Sequence, residues 1–148
     1  MSKYITPTLT LVSNASTATT VPGPLSVALS LAATQALHVK AVQSKITTIT
    51  AADDQVLWDD AAFIDADNET AGTDGGFVYV KNIHASAKIF IGHGSAAALE
   101  GVGAAARIMT LLPGEFAFFP WDFTADIIVD ASATATDGVE TWVFTRHQ

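Results

Sequence analysis

Alternation of large apolar with small or polar side chains runs through much of this chain. Leu25, Val27, Leu29 and Leu31 are separated by Ser26, Ala28 and Ser30. On a strand those four share one face; on a helix they would be spread around the cylinder. The run Phe77 to His84 is rich in aromatic and β-branched residues, which fit a pleated surface. Lys88 to Ile91 follows after Ala85-Ser86-Ala87, and the two runs read as a β-hairpin. Arg107 to Leu112 reads as a strand stopped by Pro113-Gly114, where Pro presets φ and Gly accepts the positive φ of a type II turn. Glu115 to Pro120, Asp126 to Ala131 and Val139 to Thr145 read as further strands, with Asp137-Gly138 as a hairpin turn before the last.

The first third is less regular. Tyr4 to Val12 alternates in part, and Pro7 confines it to a sheet edge. Leu37, Val39 and Ala41 are in phase while Ile46 and Ile49 are not, which predicts a bulge or break near Gln43-Ser44. A helix over 32–41 is the competing reading. Ser13 to Pro24 and Gly92 to Ala106 read as loops; the second, rich in Gly and Ala, is expected to bend easily and pack nothing. Short strands separated by turn signals predict an all-β protein, a jelly-roll-like β-sandwich of about 8–10 strands with an extended N-terminal arm. The expected organisation is an arm or edge strand over 1–24 and the sandwich over 25–148. Composition also changes near residue 52: all three Trp and all eight Phe follow it, and Tyr4 is the one aromatic before it.

Composition narrows the classes. A chain of 148 residues suits one domain and buries enough surface to need no disulfide, and it has no cysteine. With 49% hydrophobic and 15% charged residues it is not a disordered acidic tail. No apolar run approaches the roughly 18–20 residues that span a bilayer, and Met1 to Pro7 has no signal-peptide character. Seven basic against fifteen acidic residues, a net charge of −8, argue against broad contact with nucleic-acid phosphates.

Catalytic patterns are missing from the sequence: no thiol, no HExxH, no GxSxG and no phosphate-cradling Gly-Lys-Ser/Thr. His84 and His93 flank the expected hairpin, but the paired histidines and glutamate of a cupin-type metal site are not there, so both read as surface or loop residues. Eight acidic residues lie in 53–74, and Asp65-Ala66-Asp67-Asn68-Glu69-Thr70 begins like a calcium loop. Thr70 then stands where that motif needs Gly, and Gly76 where it needs Glu, so the segment reads as a solvated connection. The adjacent pairs Asp53-Asp54 and Asp59-Asp60 would point to opposite strand faces, which makes them poor carboxylate dyads. Neither a metal nor a cofactor is expected.

The aromatic residues carry the strongest signal. Phe116, Phe118, Phe119, Trp121 and Phe123 fall within eight residues. Alternation places Phe116 and Phe118 on one face, and Phe119, Trp121 and Phe123 on the other. One face belongs to the core, and the other is an exposed apolar patch of the kind that marks a contact surface. A subunit interface is the favoured use; a sugar-stacking platform and complete burial are the alternatives.

Phe77-Val78-Tyr79-Val80-Lys81-Asn82-Ile83, Lys88-Ile89-Phe90-Ile91-Gly92, Met109-Thr110-Leu111-Leu112-Pro113-Gly114-Glu115, Ile127-Ile128-Val129-Asp130-Ala131 and Val139-Glu140-Thr141-Trp142-Val143 occur in that order. Together they resemble small β-sandwich virion proteins of tailed bacteriophages, of the capsid-decoration (cement) type. The resemblance covers residues 75–146, is fainter over 24–58, and has no counterpart for 94–106. It implies a non-enzymatic subunit on the virion capsid surface that stabilises the head shell as a homotrimer. Its partners would then be itself and the major capsid protein or other virion proteins, with no nucleic acid and no membrane. The alternative implied role is a tail, fibre or baseplate component that binds carbohydrate or a receptor.

Overall fold

A computed structural model describes residues 3–12, 26–30, 37–50, 55–60, 75–94, 99 and 106–146. Every regular element among them is a β-strand. The chain divides into two compact units, Met1–His38 and Val39–Gln148. In the first unit β1 is Lys3–Ile5, β2 is Thr8–Val12 and β3 is Ser26–Ser30. There β2 and β3 pair antiparallel, Leu9 opposite Leu29 and Leu11 opposite Val27.

The second unit is a β-sandwich. Its strands are β4 (Leu37–Ile49, which begins at the boundary), β5 (Gln55–Trp58), β6 (Gly76–Asn82), β7 (Ile89–His93), β8 (Arg107–Leu111), β9 (Phe116–Trp121), β10 (Ile127–Ala131) and β11 (Ala135–Arg146). One sheet runs β4-β11-β6-β9 and the other β5-β10-β7-β8. The partners nest: first with last, second with second-last, down to β7 with β8. This is one long antiparallel hairpin rolled into two sheets, the strand order of a jelly roll. The inner faces meet through Leu57, Val78, Val80, Ile91, Val129 and Val143, all fully buried. Burial of each such side chain contributes about 1.5–3 kcal/mol.

Rolling moves several connections away from where local pattern puts them. β6 and β7 are not a hairpin, because they belong to opposite sheets. Residues 83–88 instead carry the chain across the sandwich, where His84 Nδ1 accepts the Ser86 and Ala87 amides at 3.2 and 2.9 Å. Asp137-Gly138 is not a hairpin turn either, since both residues lie inside β11. Between Ala135 and Val139 that strand carries two residues more than the facing Ile49-to-Thr47 segment, so the glycine sits in a bulge. In β4 the ladder is regular at Gln43 and Ser44; its extra residue lies between Val39 and Val42, opposite Phe144 to Arg146. Residues 37–41 are strand rather than helix, while 32–36 lie outside the described residues. Pro113-Gly114 turns as expected: Gly114 has φ 82° and the Glu115 amide donates to the Leu112 carbonyl at 3.0 Å.

The Gly/Ala-rich segment after β7 also differs from expectation. Leu99 is fully buried and packs on Phe90 and Ile128, which point outward from β7 and β10. Arg107 ties it down by donating from Nη1 to the Leu99 carbonyl at 3.2 Å. One leucine among small residues therefore covers the middle of the outer side of the β5-β10-β7-β8 sheet, at Phe90 and Ile128, while Val56 and Ile108 are exposed.

A polar tie joins the sheets. Trp58 of β5 donates from Nε1 to Thr141 Oγ1 of β11 at 3.0 Å, and that hydroxyl donates to the Tyr79 carbonyl at 2.9 Å. Lys45 Nζ stands 4.2 Å from the centre of the Trp58 ring, and burial lowers its pKa. Thr141→Val keeps the shape but removes the hydroxyl. Urea unfolding is expected to show a loss of about 1–3 kcal/mol; an unchanged midpoint would show that the hydroxyl contributes nothing.

Candidate functional site

The outward side of the β4-β11-β6-β9 sheet is built from three cross-strand rows. Val42, Phe144, Phe77 and Pro120 form one; Ser44, Trp142, Tyr79 and Phe118 the next; Ile46, Glu140, Lys81 and Phe116 the third. Period two in each strand is the reason: residues two apart share a face, and register sets the rows side by side. Six aromatic side chains thereby form one surface. Phe77 and Phe118 stack at 5.6 Å with 9° between planes, and Phe118 meets the edge of Phe144 at 6.3 Å. Trp142 stacks on Phe144 at 6.4 Å, and Tyr79 lies 6.0 Å from Phe116.

This surface stays open to solvent: Phe116 is 54% exposed, Trp142 38%, Phe118 37% and Ile46 66%. Charges sit at its margins. Glu140 Oε1 accepts the Trp142 indole N–H at 3.1 Å, and the Arg146 guanidinium lies 4.7 Å from the Phe77 ring centre. Such a continuous apolar face, rimmed by charge, has the composition of an interface.

Burial, with the Glu140 carboxylate second, raises the Tyr79 phenol above its ordinary 10.0. A raised folded-state pKa means that the unfolded chain loses its proton first. The contribution to stability is complete below pH 10.0 and fades as the pH rises through the folded value. In a Tyr4→Phe background, which leaves one tyrosine of two, Glu140→Gln is expected to move the phenolate absorbance midpoint down. An unmoved midpoint would remove the carboxylate as a cause.

The five aromatics singled out in the sequence divide between the two sides of β9. Phe116 and Phe118 are on the open face. Phe119 and Phe123 pack against the core, and Trp121 is 6% exposed, with its indole N–H donated to the Ala125 carbonyl at 2.9 Å. Trp121 and Phe123 rings lie 4.4 Å apart, across a turn in which Phe123 takes φ 57° and Asp122 Oδ1 accepts the Thr124 hydroxyl at 2.8 Å. The Thr124 hydroxyl is the main cause that holds the Asp122 carboxyl below its usual range. A cleft of ≈ 440 Å³ lies here, lined by His93, Phe119, Trp121, Asp122 and Arg146 among others.

Sequence reasoning missed the rest of the aromatic face: Phe77, Tyr79, Trp142 and Phe144. Each was visible as a strand residue, but their common surface arises from pairings across long stretches of chain. Asp126 was missed as well. The turn after β5 does not place Asp59 and Asp60 on opposite faces; their carboxylates and that of Asp126 come within 4.8 Å of one another. The Asp60 amide donates to Asp126 Oδ1 at 2.9 Å, so a backbone contact accounts for part of this gathering. Asp53, Asp54, the calcium-like run 65–70 and Asp74 lie outside the described residues. No family model, no curated protein and no solved structure matches this chain.

Proposed function

We propose that this protein is a non-enzymatic structural subunit that works by adhesion, through the open aromatic face of its β4-β11-β6-β9 sheet. The observation that carries the reading is the contrast between the two outer faces. On one, Leu99 packs over Phe90 and Ile128 and the aliphatic Val56 and Ile108 are exposed; on the other, aromatic rings stack side by side and Phe116, Phe118 and Trp142 stand in water. Covering such rings yields about 25 cal/mol per Å² of apolar area removed from water. The order of motifs over 75–146 supports the more specific form of the proposal, a capsid-decoration subunit on the head of a tailed phage.

Particle labelling tests it. Antibody against the protein, applied to virus particles from cells that make it, is expected to mark the particle heads. Label confined to the soluble fraction would overturn the virion reading, and label on tails would favour the receptor-binding alternative. That alternative uses the same rings as a sugar platform, so its control is Trp142→Ala. A glycan array that binds the protein and loses binding in this variant would favour it. Trp121, whose side of β9 alternation left unassigned, is too buried to serve.

A further inference from the structure

Where one sheet ends on β8 and the other on β9, the rim of the sandwich holds a cleft of ≈ 440 Å³. Its base is apolar: Trp121 and Ile127 are buried there, and Phe119 packs on the same core. Its mouth is polar, with His93, Asp122 and Thr124 exposed. We propose that this cleft binds a neutral sugar of one or two rings, with Asp122 and His93 holding its hydroxyls and Phe119 meeting its C–H groups.

The turn after β9 fixes a carboxylate at the mouth. Asp122 Oδ1 accepts the Thr124 amide at 3.2 Å and the Thr124 hydroxyl at 2.8 Å, which gives the side chain one direction. The Thr124 hydroxyl is the largest cause that keeps this carboxyl below its usual range, and the nearby His93 imidazole adds to it. Asp122 is therefore an ionised acceptor at neutral pH. An ionised carboxylate offers about four acceptor sites, more than Thr124 uses. The backbone is strained to make this turn: among the described residues, Phe123 is the one non-glycine residue with positive φ, at 57°. Conformations of that kind persist where surrounding contacts hold them, and they cluster at binding sites. Here the Trp121 indole N–H bonded to the Ala125 carbonyl, and the Phe123 ring 4.4 Å from that of Trp121, do the holding.

The mixture of groups selects the ligand class. A free anion meets the Asp122 carboxylate, and a free cation meets the Arg146 guanidinium on the border of the cleft; like charges disfavour both. A wholly apolar ligand strips water from Asp122 and returns no hydrogen bond. A hydroxyl suits both sides, because it donates to the carboxylate and accepts from the imidazole N–H. Vicinal hydroxyls on a ring with apolar C–H groups match this polar mouth over an apolar base. The volume lies toward the lower end of the roughly 300–1,000 Å³ of small-ligand sites, which limits the ligand to one or two rings. Few polar groups and an open mouth give weak binding, with a Kd of about 1 mM.

Two-dimensional amide NMR spectra of the full chain test the site. Glucose, galactose, mannose, N-acetylglucosamine, lactose and maltose are each titrated to about 50 mM, well above that Kd. At least one is expected to move the amides of His93 and Asp122 to Ala125 in a saturable way. Asp122→Asn is expected to weaken that sugar by about tenfold or more, as loss of a charged acceptor does. His93→Ala is expected to weaken it as well, and carries the test if thermal unfolding shows the first variant to be misfolded. Trp142→Ala is expected to leave binding unchanged, which separates the cleft from a sugar platform on the open face. Three results would overturn the proposal: no sugar moves these amides, Trp142→Ala abolishes binding while Asp122→Asn does not, or acetate or methylammonium moves them as far as the best sugar. Each leaves the adhesive reading standing, since particle labelling tests that separately.

Discussion

Replacing Asn82 with Leu is expected to lower the stability of the sandwich by about 3–5 kcal/mol, among the largest effects of any single substitution in the chain. Asn82 closes β6 and is fully buried. Its Nδ2 donates to the carbonyls of Ala87 and Leu111 at 2.9 and 3.0 Å, and its Oδ1 accepts the His84 amide at 3.0 Å. Its own amide donates to the Glu115 carbonyl at 2.9 Å, and its carbonyl accepts the Gly114 amide at 3.0 Å. One residue thus holds both neighbouring crossings, β6 to β7 and β8 to β9. Leu has a similar volume but makes none of the three side-chain bonds. It leaves two carbonyls and one amide without their partner, at about 1–3 kcal/mol for each group that stays dry. Urea unfolding with a two-state fit measures the loss. A decrease below about 1 kcal/mol would mean that water replaces the amide. Asn82→Asp is expected to be worse, because it sets carboxylate oxygens against two carbonyl oxygens.

Gly76→Ala is expected to destabilise by about 3 kcal/mol or more, although the change is a single methyl group. Gly76 opens β6 between Thr145 of β11 and Trp121 of β9. A β-carbon there would fall on the Phe144 carbonyl oxygen and lie 3.0 Å from Phe123 Cζ. The oxygen is backbone inside a ladder and cannot swing aside as a side-chain end does. Relief requires separation of β6 from β11, the central pair of that sheet. Gly114→Ala is the matched control. A β-carbon there meets nothing within 4 Å, but φ is +82°. Only the left-handed backbone penalty of about 1–2 kcal/mol applies. Thermal or urea unfolding of the two variants separates steric overlap from conformational preference. Equal losses would mean that β11 yields to the methyl group.

The residues that matter most in these predictions were legible in the sequence to different degrees. Gly114 was readable because Pro-Gly is a local signal with a local cause. Asn82 was visible only as the end of a strand; its bonds to Leu111 and Glu115 reach across about thirty residues. The expected hairpin of 77–91 failed for the same reason. Two adjacent strands with a short connection satisfy the local rule whether they pair or cross to the opposite sheet. Asp137-Gly138 carried a turn signal, yet β11 absorbs it as a bulge because Val139 to Thr145 must keep register with β6. Leu99 gave no signal of burial, as a lone leucine among Gly and Ala has no periodicity.

Alternation along the chain determined by itself that this protein is all-β, where most of its strands lie, and which aromatic residues of β9 share a side. It could not assign a sign to those sides, because both Phe116/Phe118 and Phe119/Trp121/Phe123 are apolar. Only tertiary structure decided that: the second sheet packs against Phe119 and Trp121, while pairing with β6 and β11 brings Phe77, Tyr79, Trp142 and Phe144 up beside Phe116 and Phe118. A period of two divides side chains into two sets. Which set meets water depends on strands far away in the chain.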